Sequence, residues 1–212
     1  MSNCFVAIAG NIGVGKSSLT ALLSQRLNWQ PLYEAAAENP YLADFYVDMR
    51  RWSFHSQIFF LTWRARHHRE IVHSPHPVVQ DRTIYEDAEV FARNLCEQGH
   101  MDRRDYATYV ALYEVLSQLL PPPHLLVHLK ASVPVLLQRI AWRGRDYERH
   151  ISSSYLEQLN ALYERWVATF TRCPVLTIDT DRLDFVRFTA DTEAIVTRIQ
   201  DRCAALLATG GS

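Results

Sequence analysis

The run Gly10-Asn11-Ile12-Gly13-Val14-Gly15-Lys16-Ser17, set directly behind the apolar stretch Phe5-Val6-Ala7-Ile8-Ala9, constrains this chain more than any other feature. It fits Gly-x-x-x-x-Gly-Lys-Ser/Thr, and the fit has a mechanism. Glycines allow the tight winding that points successive backbone N–H groups at phosphate oxygens, and a helix opening behind them adds the positive end of its dipole. Lys16 is then a point charge for β and γ phosphates, and Ser17 supplies a hydroxyl to a divalent cation. Ser18 completes this set at the start of the helix. A chance match to the motif is expected in on the order of one per cent of chains this long, before strand and helix context are asked for.

The rest of the chain supplies that context. Short apolar, β-branched runs at 4–9, 30–34, 77–81, 125–129 and 175–179 alternate with stretches of helical period, the pattern of βα units around a parallel sheet. Leu19, Leu22, Leu23 and Leu27 form one apolar stripe, and Tyr106, Tyr109, Leu112, Tyr113 and Leu116 form another. Ser74-Pro75-His76-Pro77 and Pro121-Pro122-Pro123 end helices ahead of strands rather than linking domains. The expected fold is a single three-layer α/β domain over 1–212: a five-stranded parallel sheet, helices on both faces, and a frayed tail at 208–212.

With 22 basic and 23 acidic residues the formal net charge is −1, which gives no global attraction to nucleic acid or to an anionic membrane. Any basic site must therefore be local. No basic segment leads into a long apolar run at the N-terminus, and no run is long enough to span a bilayer, so a cytoplasmic protein is expected. Cys4, Cys96, Cys173 and Cys203 are scattered, without C-x-x-C pairs or histidines at metal-ligand spacing, and read as reduced structural thiols.

The phosphate loop does not say what receives the phosphoryl group. A neutral hydroxyl acceptor must lose a proton, which calls for a carboxylate near the C-terminal ends of the strands. Glu34 is expected there, at the end of the second strand. The third strand ends Gln80-Asp81-Arg82-Thr83, where Asp81 can reach a metal or its water and Arg82 can brace Glu34 or bridge to the phosphate in transit. The segment from Leu137 to Arg149 is rich in arginine: Arg139 and Arg143 share a helix face, Gly144 ends the helix, and Arg145 follows it. Guanidinium groups in such a flap suit a lid, at 143–150, that closes over a triphosphate and stabilises transition-state charge.

These residues, with Glu38-Asn39-Pro40-Tyr41-Leu42, Phe54-His55-Ser56-Gln57, Asp81-Arg82-Thr83-Ile84-Tyr85-Glu86-Asp87 and Arg143-Gly144-Arg145-Asp146-Tyr147-Glu148, match one family in order and spacing. The chain resembles the deoxynucleoside kinases, especially the short bacterial deoxyadenosine and deoxyguanosine kinases. The resemblance implies that Glu34 is the general base on the sugar 5′-hydroxyl, assisted by Arg82 and Arg145. It implies that Tyr46 and Glu148 hold the 3′-hydroxyl, that Gln57 meets the base edge, that Phe91 stacks on the base, and that Arg64 and Asp87 meet its far side, an arrangement that goes with purines or cytosine. Phe54 is placed with the substrate set, Ser17 and Asp81 with Mg²⁺, and Arg139 and Arg143 with the lid. ATP is the implied donor, its base near Asp179-Thr180-Asp181, and a homodimer is implied as well. One departure is visible: the family's usual Glu-Pro is Glu34-Ala35 here, which frees the backbone just past the base.

Two rivals share the phosphate loop. A nucleoside monophosphate kinase of the thymidylate type would also carry a strand-end Asp-Arg and an Arg-rich lid, but Glu34, Gln57, Arg64 and Asp87 together oppose it. A non-enzymatic nucleotide switch of the GTPase type needs an Asn-Lys-x-Asp signature, which the chain lacks.

Overall fold

The computed structural model describes residues 4–34, 36–148 and 151–209. Ala35, the 149–150 part of the expected lid and the 210–212 part of the expected tail lie outside the described residues. Five strands, β1 (Phe5–Gly10), β2 (Gln30–Leu32), β3 (Val78–Asp81), β4 (Leu125–Lys130) and β5 (Val175–Asp179), lie parallel in the order β2-β3-β1-β4-β5. All six residues of β1 are buried, which a strand achieves only with neighbours on both edges and helices over both faces.

The helices are α1 (Lys16–Leu27), α2 (Leu42–Val47), α3 (Met49–Val72), α4 (Ile84–Glu86), α5 (Arg93–Glu97), α6 (Arg103–Leu119), α7 (Val133–Arg143), α8 (Ser153–Thr169) and α9 (Thr189–Thr209). Leu19 and Leu23 put the buried face of α1 on the sheet, as the stripe requires. On α6, Tyr109 and Tyr113 are buried but Leu112 is 39% exposed, because it lies at the rim of that stripe.

The second strand is shorter than its sequence suggests. It ends at Leu32, so Glu34 stands in the connection beyond it rather than at the strand end. Pro31 is tolerated because β2 is an edge strand, paired only with β3. Between α4 and α5 the helix widens into a π-turn over Asp87–Ala92, which no periodicity announced. Such turns add a residue to the helical circuit and often mark functional sites.

His128 shows how closed this interior is. It is 2% exposed on β4, stacked on Tyr163 at 5.8 Å between centroids, and its Nδ1 has no hydrogen-bond partner. Burial brings its pKa from 6.5 down to about 4, with Glu164 opposing and Lys130 adding to the fall. The unfolded chain therefore binds a proton between pH 6.5 and about 4 that the folded chain refuses, so this residue removes stability as pH falls through that window. His128→Leu is expected to be less acid-sensitive, with the Tm difference from wild type growing in its favour from pH 7 to pH 4.5 by the equivalent of about 2 kcal/mol. A Tm difference that stays constant across this range would contradict the assignment.

Candidate active site

The parallel register brings the working ends of three strands together. Ile8 pairs with Asp81 and Gly10 with Leu129, so the phosphate loop leaves β1 between Asp81 and Arg82 on one side and β4 on the other. The loop is too tight for side chains at key points. At Gly10, φ 146°, an added Cβ would lie 2.4 Å from Leu129 O, and at Gly13, φ 82°, it would lie 2.7 Å from Ile140 Cγ1. Asn11 braces the loop from behind: its side-chain amide donates to Leu156 O at 3.0 Å and Asn160 Oδ1 at 2.8 Å, and its own Oδ1 accepts from Ile12 N at 2.7 Å.

Lys16 is buried and its Nζ donates to Gly10 O at 2.8 Å and Asn11 O at 3.0 Å, folded back on the loop it serves. Burial, reinforced by Arg82 and only partly offset by Asp81, Glu86 and Glu34, brings it down to about 8. Ser17 Oγ donates to Asp81 Oδ2 at 2.5 Å, while the buried Oδ1 of Asp81 has no hydrogen-bond partner. Burial raises the Asp81 pKa, against the pull of Lys16. Two hard oxygens with one lone acceptor fit a Mg²⁺ ion that takes its remaining ligands from phosphate and water. Among the described residues no group of three or more His, Cys, Asp or Glu forms a self-sufficient metal site.

A cavity of about 630 Å³ opens over this loop. Gly13 through Ser18 line one end, and Glu34, Tyr46, Gln57, Arg82, Asp87, Phe91, Arg145 and Glu148 line the other. Glu34 is set by two arginines: Arg64 NH2 donates to its Oε1 at 2.8 Å, and Arg82 Nε lies 3.3 Å from the same atom. Burial works against its charge, but Arg82 and Arg64, with Lys16 and Arg145, outweigh it and hold the carboxyl below the usual range. Arg64 is itself 1% exposed and also donates to Asp87, so one guanidinium joins the two carboxylates. Arg82 stacks over the Phe91 ring, 4.1 Å from its centroid, with its own backbone at φ 70°, a left-handed conformation uncommon outside glycine. Gln57 is buried and its Oε1 has no hydrogen-bond partner. Burial, with Tyr155 and Glu148 nearby, pushes the Tyr46 phenol up, so it remains a protonated donor at any working pH.

Several expected residues take other places. Phe54 is not among the lining residues; it is half-buried and edge-on to His55 at 6.2 Å, one turn before Gln57 on the same face of α3. Asp179 and Thr180 are also absent from the wall: Asp179 accepts from Asp181 N, and Thr180 is buried against Lys130 O. The donor end is lined instead by Asp181 through Phe188 and by Trp142, whose ring carries Arg187 at 4.7 Å. Arg139 donates to Val14 O, Thr180 Oγ1, Thr180 O and Leu183 O at 2.7–3.1 Å, and so clamps the phosphate loop to the loop after β5. Arg143 donates to Glu148 from Nε at 3.0 Å, and Arg145 lies 3.5 Å from the same carboxylate, closing the short turn Asp146–Glu148 on the end of α7. The aromatic run around Phe185 escaped sequence reasoning; its only signal was the apolar content of Leu183, Phe185, Val186 and Phe188 in an otherwise polar loop.

Comparisons with known proteins identify the family. The family model described as deoxynucleoside kinase matches residues 6–204. A deoxyadenosine/deoxycytidine kinase of Bacillus subtilis (strain 168) is 40% identical over 199 residues, covering 93% of this chain and 92% of its own. A deoxyguanosine kinase of the same organism is 35% identical over 205 residues, covering 93% and 96%. Among solved structures, deoxyadenosine kinase from M. mycoides with bound dATP matches at a TM-score of 0.82 with 29% identity, over 92% of this chain and 99% of that one. A phosphate loop facing an arginine-held carboxylate across one cavity, and a match over nearly the whole length, lead to one conclusion: the chain belongs to the deoxynucleoside kinase family.

Proposed function

We propose that the chain transfers the γ-phosphoryl group of ATP to the 5′-hydroxyl of a purine deoxynucleoside, with Glu34 as the general base. The observation that carries the reading is Glu34 itself, an ionised carboxylate held by Arg64 and Arg82 in the same cavity as the phosphate loop. In this reading Lys16 leaves its two loop carbonyls for the triphosphate, and loop N–H groups take the phosphate oxygens. Ser17 and Asp81 would hold Mg²⁺, which when bound neutralises phosphate charge. Glu34 takes the hydroxyl proton while Arg82, beside it, faces the phosphate in transit. The paired arginines make Glu34 a weaker base but keep it charged at every working pH, which suits a loose transition state.

In this reading Tyr46 and Glu148, which line the cavity, hold the sugar 3′-hydroxyl, and Gln57 and Asp87 meet the base edge. The free acceptor on Gln57 suits the exocyclic amine of adenine, and the relatives named for deoxyadenosine and deoxyguanosine support a purine. Deoxycytidine, which presents an amine in a similar position, is favoured as a further acceptor by the deoxyadenosine/deoxycytidine kinase among the relatives. The aromatic loop Asp181–Phe188 with Trp142 would take the donor base, and Arg139 would set that loop's distance from the phosphates. Among the described residues no helix is long and apolar enough to cross a membrane, and the bacterial kinase relatives support a cytoplasmic location. A homodimer is supported by Leu112, Val115 and Leu119, exposed along one side of α6.

The test is kcat/KM for the four deoxynucleosides and for dTMP with ATP and Mg²⁺. A purine deoxynucleoside is expected to exceed thymidine by about a hundredfold, the discrimination available when a site's buried polar groups are left unpaired. If dTMP proves a far better acceptor than any nucleoside, the reading fails; if only deoxycytidine turns over, its purine part fails.

A further inference from the structure

Glu86 is a buried carboxylate that the proposed chemistry leaves unused. It occupies the third position of α4 and closes a capping box with Thr83, whose hydroxyl accepts from Glu86 N at 3.4 Å while Glu86 Oε1 accepts from Thr83 N at 3.0 Å. A capping box needs only one carboxylate oxygen and works equally well at the surface. Here the residue is 0% exposed. Its second oxygen, Oε2, turns inward to accept the Tyr163 hydroxyl at 2.5 Å and the Gly10 amide at 3.4 Å.

Those donors belong to separate parts of the fold. Gly10 opens the phosphate loop that carries Lys16, Thr83 directly follows Arg82, and Tyr163 stands on α8. Gly10 and Arg82 both have positive φ, at 146° and 70°, and at Arg82, which is not a glycine, such a conformation persists only where surrounding contacts over-determine it. The carboxylate touches the backbone at the first of these and immediately after the second. Burial raises its pKa to about 6, against the pull of Arg82 and Lys16, so at neutral pH it is a charged acceptor with both oxygens engaged. A glutamine of the same size has one acceptor oxygen and an NH2 group, so it cannot accept from both sides.

We propose that Glu86 is a positioning residue that locks the start of the phosphate loop to the segment behind Arg82, with Tyr163 as its brace, so that Lys16 and Arg82 converge on one phosphate. This rests on the kinase reading above. Loss of the lock lets the two cations drift apart, which weakens the triphosphate complex and misaligns transfer, while Gln57 and Glu148 at the nucleoside end of the cavity are carried by other elements.

The experiment compares Glu86→Gln, Tyr163→Phe, the double variant and Thr83→Ala. Glu86→Gln is expected to raise the ATP Kd, measured calorimetrically, and to lower kcat, each by about tenfold, with nucleoside KM within twofold. Tyr163→Phe should move both in the same direction by about threefold, and the double variant should be no worse than Glu86→Gln alone, because the two groups act as one unit. Thr83→Ala removes only the hydroxyl half of the cap and should lower Tm without changing either constant by more than about twofold. If Glu86→Gln lowers Tm but leaves ATP Kd and kcat at wild-type values, Glu86 is only a cap and the proposal is overturned. Additive effects in the double variant overturn the shared lock. Should Glu86→Gln fail to fold, Tyr163→Phe decides, and wild-type constants in it count against the proposal. Wild-type turnover in the same assay tests the kinase reading separately, since the calorimetric Kd needs no acceptor.

Discussion

Glu34→Gln is expected to lower kcat for the best deoxynucleoside by about a thousandfold while ATP affinity stays within a few-fold of wild type. The substitution keeps the volume and removes the proton acceptor. It also removes the negative charge that Arg64 and Arg82 share, at 2.8 and 3.3 Å. Arg64 retains Asp87 as a partner, so the wall that carries it keeps one ion pair and the fold survives. Arg82 loses its partner and keeps its stack on Phe91. The loss therefore falls on transfer rather than on nucleotide binding, and a rate unchanged from wild type would remove Glu34 from the chemistry.

Arg82→Lys is expected to lower kcat by about a hundredfold, although the charge is kept. The arginine does two things with one planar group: its Cζ sits over the Phe91 ring, 4.1 Å from the centroid, and its Nε lies 3.3 Å from Glu34 Oε1. A lysine ammonium is a compact, strongly hydrated charge that cannot present a flat face and a fork together. Nucleoside KM should rise by less than kcat falls, because Glu148, Tyr46 and Gln57 still line the acceptor end. The measurement is kcat and both KM values for Arg82→Lys and Arg82→Ala. A lysine variant within threefold of wild type would show that charge alone suffices there.

Both predictions concern residues visible in the sequence, yet neither geometry was. Glu34 was expected to cap a strand; it stands two residues beyond the end of β2 and owes its position to Arg64, thirty residues further along. Arg139 was expected over the triphosphate with the other lid arginines, and its guanidinium is instead bonded to Val14, Thr180 and Leu183 of the protein itself. Phe54, Asp179 and Thr180 do not reach the cavity wall, while Trp142 and the loop through Phe188 do. Seven residues of helix set Gln57 and Arg64 on one face, as periodicity requires, but periodicity cannot say that Arg64 is buried between two carboxylates.

What the sequence determined by itself is everything written in contiguous residues: the buried run of β1, the glycines and Lys16-Ser17 of the phosphate loop, the alternation that demands a parallel sheet, and the arginine content of the segment after α7 begins. These depend on backbone sterics, dipoles and local periodicity, which need no distant partner. Tertiary structure alone decided which charges meet, which aromatic faces are covered, and that the helix after Thr83 opens into a π-turn with Glu86 aimed beneath the phosphate loop. Those outcomes follow from pairing buried charges between segments far apart in the chain, and the partner of a buried charge is settled only once strand register and helix packing have brought the candidates within reach.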